Sequence, residues 1–146
     1  MQLSQYFAEE EFLRSETALR LGIKNEFACE EHRQNAIILC RDHLEKIRKY
    51  LDKPILINSG YRIPALNKAI GGSKNSAHMT GNAVDFHVEG IKINTLFNEI
   101  KNIYAEKIIP VMYDQLINEY GSWIHLGISK NPKGERFYIG IKSFIN

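Results

Sequence analysis

The sequence predicts an α+β fold: a small, mostly antiparallel sheet flanked by helices. Three observations carry this. From Glu30 to Leu51, apolar residues recur at three- and four-residue spacing, the period of a helix that covers a sheet. Ala83 to Val88, Tyr113 to Asn118 and Trp123 to Ile128 read as short strands, the last two joined by a tight turn at Tyr120-Gly121. Helices come first and strands gather later, without strict βα alternation, which points to α+β.

The elements follow in order. Met1 to Phe7 is a lead-in, and Ala8-Glu-Glu-Glu-Phe12 suits a first helical turn with its acids at the positive end of the dipole. Thr17 to Gly22 reads as a second short turn closed by glycine. The long helix carries Ala36, Ile37, Cys40, Leu44, Ile47 and Leu51 on one stripe, and places His32 and His43 among charges as solvated residues. Pro54 to Asn58 is a short strand ended by Ser59-Gly60. Pro64 to Ile70 is a helix with proline in its first turn and Gly71 at its end. A loop of small polar residues runs from Gly72 to Thr80, and a helix from Ile91 to Ile103 carries Leu96, Phe97, Ile100 and Ile103 on one side. Arg136 to Ile141 reads as the last strand.

At 146 residues, without a repeat, low-complexity tract or linker, the chain is expected to form one domain over residues 1–146. Hydrophobic residues make up 44% and charged residues 25%, which argues against disorder. A formal charge of +2 with no basic stripe is too small to argue for nucleic acid; an anionic polymer is permitted by this charge but not indicated, and no nucleic-acid partner is expected. No apolar run approaches the ~18 residues of a membrane span. No charged-plus-apolar leader precedes the first polar residues, so synthesis in the cytoplasm without a signal peptide is expected, as a monomer. Cys29 and Cys40 would lie ~16 Å apart on an unbroken helix, too far for a disulfide, so both are expected to be buried free thiols.

The chemistry gathers in Asn58-Ser-Gly-Tyr-Arg62 and Gly71 to Phe86, with a second histidine at His125 in Ser122-Trp-Ile-His-Leu-Gly-Ile128. His78, Asp85 and His125 are candidate ligands for one metal ion, since zinc takes imidazole and carboxylate donors and keeps a position for water. Gly81 lets the chain turn between His78 and Asp85, and Ala83 leaves room beside them. On spacing alone the signal is weak, because a His and an Asp seven residues apart also occur by chance.

The order Ser59-Gly-Tyr-Arg62, Leu66-Asn67, Gly71-Gly72, Ser76-x-His78-x-x-Gly81-x-Ala83-x-Asp85, Asp114-Gln-Leu-Ile117 and Trp123-x-His125 resembles the M15 zinc peptidases. That family includes D-alanyl-D-alanine carboxypeptidases and phage endolysins acting on peptidoglycan. Phe7 to Ser15 and Ala18 to Asn25 look like its small phage-type branch, so the resemblance covers nearly the whole chain. It implies a hedgehog/DD-peptidase-like fold with a cleft across the sheet, and Zn2+ at His78, Asp85 and His125. It also implies hydrolysis of peptidoglycan stem peptides, at the cell wall after lysis or as part of a phage particle. Arg62 would fork a substrate carboxylate, Ser76 would hydrogen-bond the substrate or cap a turn, and Tyr61 and Trp123 would line the cleft or sit in the core.

The resemblance breaks at one place. Many members carry an acidic general base three residues before the second zinc histidine, and here that residue is Ser122. Asp114 and Glu119 remain as candidates. A two-residue turn pairs His125 with Leu116 and brings Asp114 to its face; a three-residue turn pairs it with Gln115 and brings Glu119. Glu119, nearer the turn, is preferred. A zinc-bearing binding module that has lost its base is the competing expectation, and His87, two residues beyond Asp85, is a weaker candidate for a supporting role.

Overall fold

The computed structural model describes residues 1–139. Two short helices, α1 (Glu9–Leu13) and α2 (Glu16–Leu21), lead into a long rod, α3. That rod runs as Glu30–Ile38, a π-helical stretch Leu39–Leu44, and Glu45–Leu51, with helical backbone at both junctions. Strand β1 (Leu56–Ser59) and helix α4 (Pro64–Ala69) follow, then a 3-10 turn at Ala77–Thr80 and β2 (Ala83–His87). Helix α5 (Ile93–Ala105) precedes the hairpin β3 (Gln115–Glu119) and β4 (Trp123–Gly127), and β5 is Glu135–Ile139. The expected last strand, 136–141, is thus found to Ile139; its final two residues lie outside the described part. Among the described residues no helix is long and apolar enough to cross a membrane.

The sheet order is β1-β2-β4-β3-β5. Every neighbouring pair is antiparallel except β3 and β5, which run parallel. The α+β expectation with a mostly antiparallel sheet therefore holds. The parallel edge arises because the chain, leaving β4, crosses back to the start of β3 before it pairs.

Strand alternation divides the sheet into two faces. Val84, Phe86, Leu116, Ile124 and Leu126 point to one face and are fully buried against α3 and α5 through Leu39, Leu44, Ile47, Leu96, Phe97 and Ile100. The opposite face carries Asp85, Ile117, Glu119, Trp123 and His125, which line a cleft.

Two side-chain expectations are corrected. His43 is buried, with Nδ1 2.8 Å from the Tyr104 hydroxyl, because it lies three residues after Cys40 and four after Leu39 on the inward stripe. Its charged neighbours Arg41, Asp42 and Glu45 face elsewhere on the rod. His32 is half-buried, its Nδ1 2.8 Å from the Tyr61 hydroxyl. Of the cysteines, Cys40 is buried as expected while Cys29, at the start of α3, is exposed; both are free thiols.

Candidate metal centre and cleft

The cleft encloses about 830 Å³ along the polar face of the sheet. His78 comes from the 3-10 turn, Asp85 from the middle of β2 and His125 from the middle of β4, directly opposite Asp85 in the strand pairing. Their donor atoms all lie within 4.8 Å of one another. The three residues are 2%, 6% and 8% exposed, so their polar groups must satisfy each other or a shared ion.

Backbone packing brings the His78 turn to this point. Gly81, which ends the turn, has φ +81°, and a Cβ there would lie 2.2 Å from the His32 carbonyl oxygen of α3. Only glycine allows both the left-handed turn and the close approach. Ser76 Oγ accepts from the His78 backbone N–H at 3.2 Å and lines the cleft, so Ser76 caps the turn that carries the ligand.

Hydrogen bonding identifies the faces of the imidazoles. His78 Nδ1 donates to the Gly60 carbonyl at 2.6 Å, and since a carbonyl only accepts, the Nδ1 proton is placed there. In the neutral ring, Nε2 then presents a lone pair, 3.2 Å from Asp85 Oδ1. His125 Nδ1 reaches the same oxygen at 2.8 Å. A lone pair and an anionic oxygen facing each other in a buried site call for a proton or a cation between them, and the donor set of two imidazoles and a carboxylate fits a zinc-like divalent ion. When His78 is protonated instead, its charge and the hydrogen bonds from His125 and His78 override the burial that alone would raise the Asp85 carboxyl, and hold that group well below the usual carboxylate range. Burial pushes the His78 imidazole downward, toward the neutral form a metal requires.

Arg62 is pinned beside the cluster. Its Nε donates to Ser59 Oγ at 3.1 Å, Nη1 to Asn67 Oδ1 at 2.9 Å and Nη2 to Asp85 Oδ2 at 3.5 Å. Its backbone N–H also donates to the His78 carbonyl, tying the two motif loops together. Asn67, 3% exposed, is the residue whose role the sequence did not reveal: while accepting from Arg62 it donates Nδ2 to the Ser73 carbonyl at 2.9 Å. A Cβ at Gly72 would fall 2.1 Å from Asn67 Oδ1 and 2.8 Å from Arg62 Nη1. Asn67 and Gly72 thus serve the placement of one guanidinium.

The hairpin register sets which of the two acids shares the face of His125. Tyr120 and Gly121 both have positive φ, +58° and +62°, and Ser122 N–H closes the turn onto the Glu119 carbonyl at 2.9 Å. Asn118 Oδ1 accepts from the Gly121 N–H at 3.1 Å and secures it. Pairing resumes at Glu119 opposite Trp123, leaving Ser122 as an extra residue, so His125 lies opposite Ile117. Neither Leu116 nor Gln115, the two partners expected, is correct; the outcome shares the face of the three-residue case, and Glu119 joins the His125 side. Burial raises the Glu119 carboxyl, and Asp85 raises it further; His125, the Trp123 indole and Arg62 oppose this. The Trp123 N–H lies close enough to favour the charged carboxylate, yet makes no standard hydrogen bond and is the one buried side-chain donor without a partner among the described residues.

Asp114 borders the cleft, but its Oδ1 accepts from the Lys133 backbone N–H at 3.0 Å, and the structure does not bring it to the ligand cluster. Tyr61 is placed away from the cleft. It is buried against Phe27, and its hydroxyl takes the Ala28 N–H at 3.1 Å and contacts His32. His87 Nδ1 is bonded to Asn58 Oδ1 at 2.8 Å and does not touch Asp85.

A sheet with one polar face, a buried His-Asp-His donor set and an adjacent carboxylate define a metallohydrolase type of site. Residues 5–127 match the family model described as Peptidase M15, and the chain belongs to that family. A stretch of 34 residues is 50% identical to the zinc D-Ala-D-Ala carboxypeptidase of Streptomyces albus G. That stretch is 23% of this chain and 13% of the length of that enzyme.

Proposed function

We propose that the protein is a zinc-dependent peptidase that hydrolyses peptide bonds in peptidoglycan stem peptides, as a D-Ala-D-Ala carboxypeptidase or an endopeptidase, working at the cell wall. The observation that carries this reading is the convergence of His78 Nε2 and His125 Nδ1 on Asp85 Oδ1, with Glu119 on the same sheet face. His78, Asp85 and His125 would hold the zinc, which supplies a Lewis acid for the scissile carbonyl and for water. The zinc carboxypeptidase relative supports both the metal and the substrate class.

The chain's own residues divide the remaining work. Glu119 takes the proton of the attacking water and returns it to the departing amine. Its raised affinity for a proton, from burial and the Asp85 charge, suits a base that must also serve as an acid. The presence of Glu119 on this face answers the lack of an acid at Ser122 and favours an enzyme over an inactive binding module. Arg62 binds substrate carboxylate. Of the five N–H groups of a guanidinium, three are engaged by Ser59, Asn67 and Asp85, which leaves two, one on each terminal nitrogen. That spacing matches the two oxygens of a carboxylate.

Metal content by mass spectrometry, measured beside release of D-alanine from a pentapeptide stem with and without chelator, tests the proposal. About one zinc per chain and chelator-sensitive release, from this stem or as cleavage of cross-linked peptidoglycan, is expected. Zinc without cleavage of either substrate would establish the binding module instead.

A further inference from the structure

The metal cleft does not end at Arg62. Ser59, whose hydroxyl accepts from Arg62 Nε, lines both that cleft and a second basin of about 370 Å³. Asn58 and Ile70 are shared in the same way, so the end of β1 and the end of α4 form a common floor. The other wall of the second basin is the junction of α1 and α2, through Arg14, Ser15 and Thr17. A ligand passing over Ser59 therefore touches both compartments. A cleft that served only a free C-terminus would need nothing beyond the guanidinium that binds it.

The second basin also carries a charge that the protein does not use internally. Arg14 is exposed, and among the described residues its side chain has no ion pair. This contrasts with Arg62, buried and fastened to Asp85. Glu16 is the one acid and Arg14 the one cation among the residues lining the basin, and among the described residues no ion pair joins them.

We propose that this basin is a second substrate subsite, which takes a carboxylate-bearing peptide segment running on from the metal cleft past Arg62, with Arg14 as its cation. The inference rests on the peptidase reading, and it favours a substrate whose chain continues beyond the Arg62 position. Arg14 lies outside the reacting centre, so it contributes to binding and leaves the chemical step unchanged.

Binding of synthetic probes to the zinc-loaded full chain carrying Glu119→Gln provides the test. The probes are a cross-linked dimer of stem peptides with free carboxylates and the same dimer with those carboxylates amidated. Arg14→Ala is expected to weaken binding of the free dimer about 5-fold and leave the amidated dimer unchanged. Glu16→Gln is expected to tighten the free dimer, and amide resonances of Ser15 and Thr17 to shift on titration. Equal effects of Arg14→Ala on both probes, or no binding of the free dimer to the parent protein, would overturn the subsite. A melting curve of Arg14→Ala coincident with the parent verifies the fold. Failure of the peptidase reading shows separately, as wild-type protein that cleaves neither monomeric stem nor dimer.

Discussion

The two faces of the same strands obey different rules. On β4, Ile124 and Leu126 are fully buried among α3 and α5, while Trp123 and His125, one residue away in each case, look into the cleft. The core face is held by area removed from water, which is insensitive to small errors in direction. The cleft face depends on polar groups that must meet at hydrogen-bond distance: two imidazoles on one carboxylate oxygen, and one guanidinium spread over three partners. Stability should therefore respond chiefly to changes on the first face, and catalysis to changes on the second.

The sharpest separation comes from Glu119→Gln. It should lower kcat by roughly 10³-fold while the melting temperature and zinc content stay at wild-type values, since only proton transfer is lost. An unchanged kcat would remove Glu119 as the base. Leu126→Ala is the mirror experiment on the core face. Denaturant unfolding should show a loss of about 3 kcal/mol, with activity per folded molecule preserved.

A third test lies on the core side and concerns pH. Burial lowers the His43 imidazole to about 4, from an ordinary value of 6.5. Between those values the unfolded chain binds a proton that the folded chain does not. The contribution is therefore complete above pH 6.5 and lost as pH falls toward 4, about 3 kcal/mol in all. Chemical denaturation across this window should show stability falling with acid, and His43→Leu should flatten the slope. A slope unaltered by the substitution would assign the acid sensitivity elsewhere.

The smallest effect blurs the comparison on purpose. Gly72→Ala places a methyl group against Asn67 and Arg62 without touching the metal ligands. KM for a carboxylate-bearing peptide should rise about 10-fold, with kcat changed much less. A fall in kcat alone would mean that Arg62 acts through Asp85 and not on substrate.

Much of the fold was legible because it rests on local pattern. The inward stripe of α3 follows from spacing, and Ile124 and Leu126 flanking His125 already imply opposite faces. His43 shows the limit of reading composition in place of phase: charged neighbours suggested solvent, yet its position relative to Leu39 and Cys40 sends it inward. Of the two places expected for Tyr61, cleft or core, the structure takes the core. It stands in the motif beside Arg62, but the chain turns there, and its ring packs on Phe27 and His32 behind the loop.

By itself, the sequence determined which residue types could meet: two histidines and an aspartate within one family pattern, an arginine upstream, and strands of fixed alternation. Tertiary structure decided what meets at the cleft. Ser122 as an extra residue after a left-handed pair set the β3–β4 register and put Glu119 on the His125 face. The His78–Gly60 hydrogen bond selected the nitrogen turned toward Asp85, and Asn67 selected the direction of Arg62. Each of these depends on contacts between segments distant in the chain or on a one-residue shift in pairing. Residue spacing does not encode either, because one slip in register reverses every side chain on a strand.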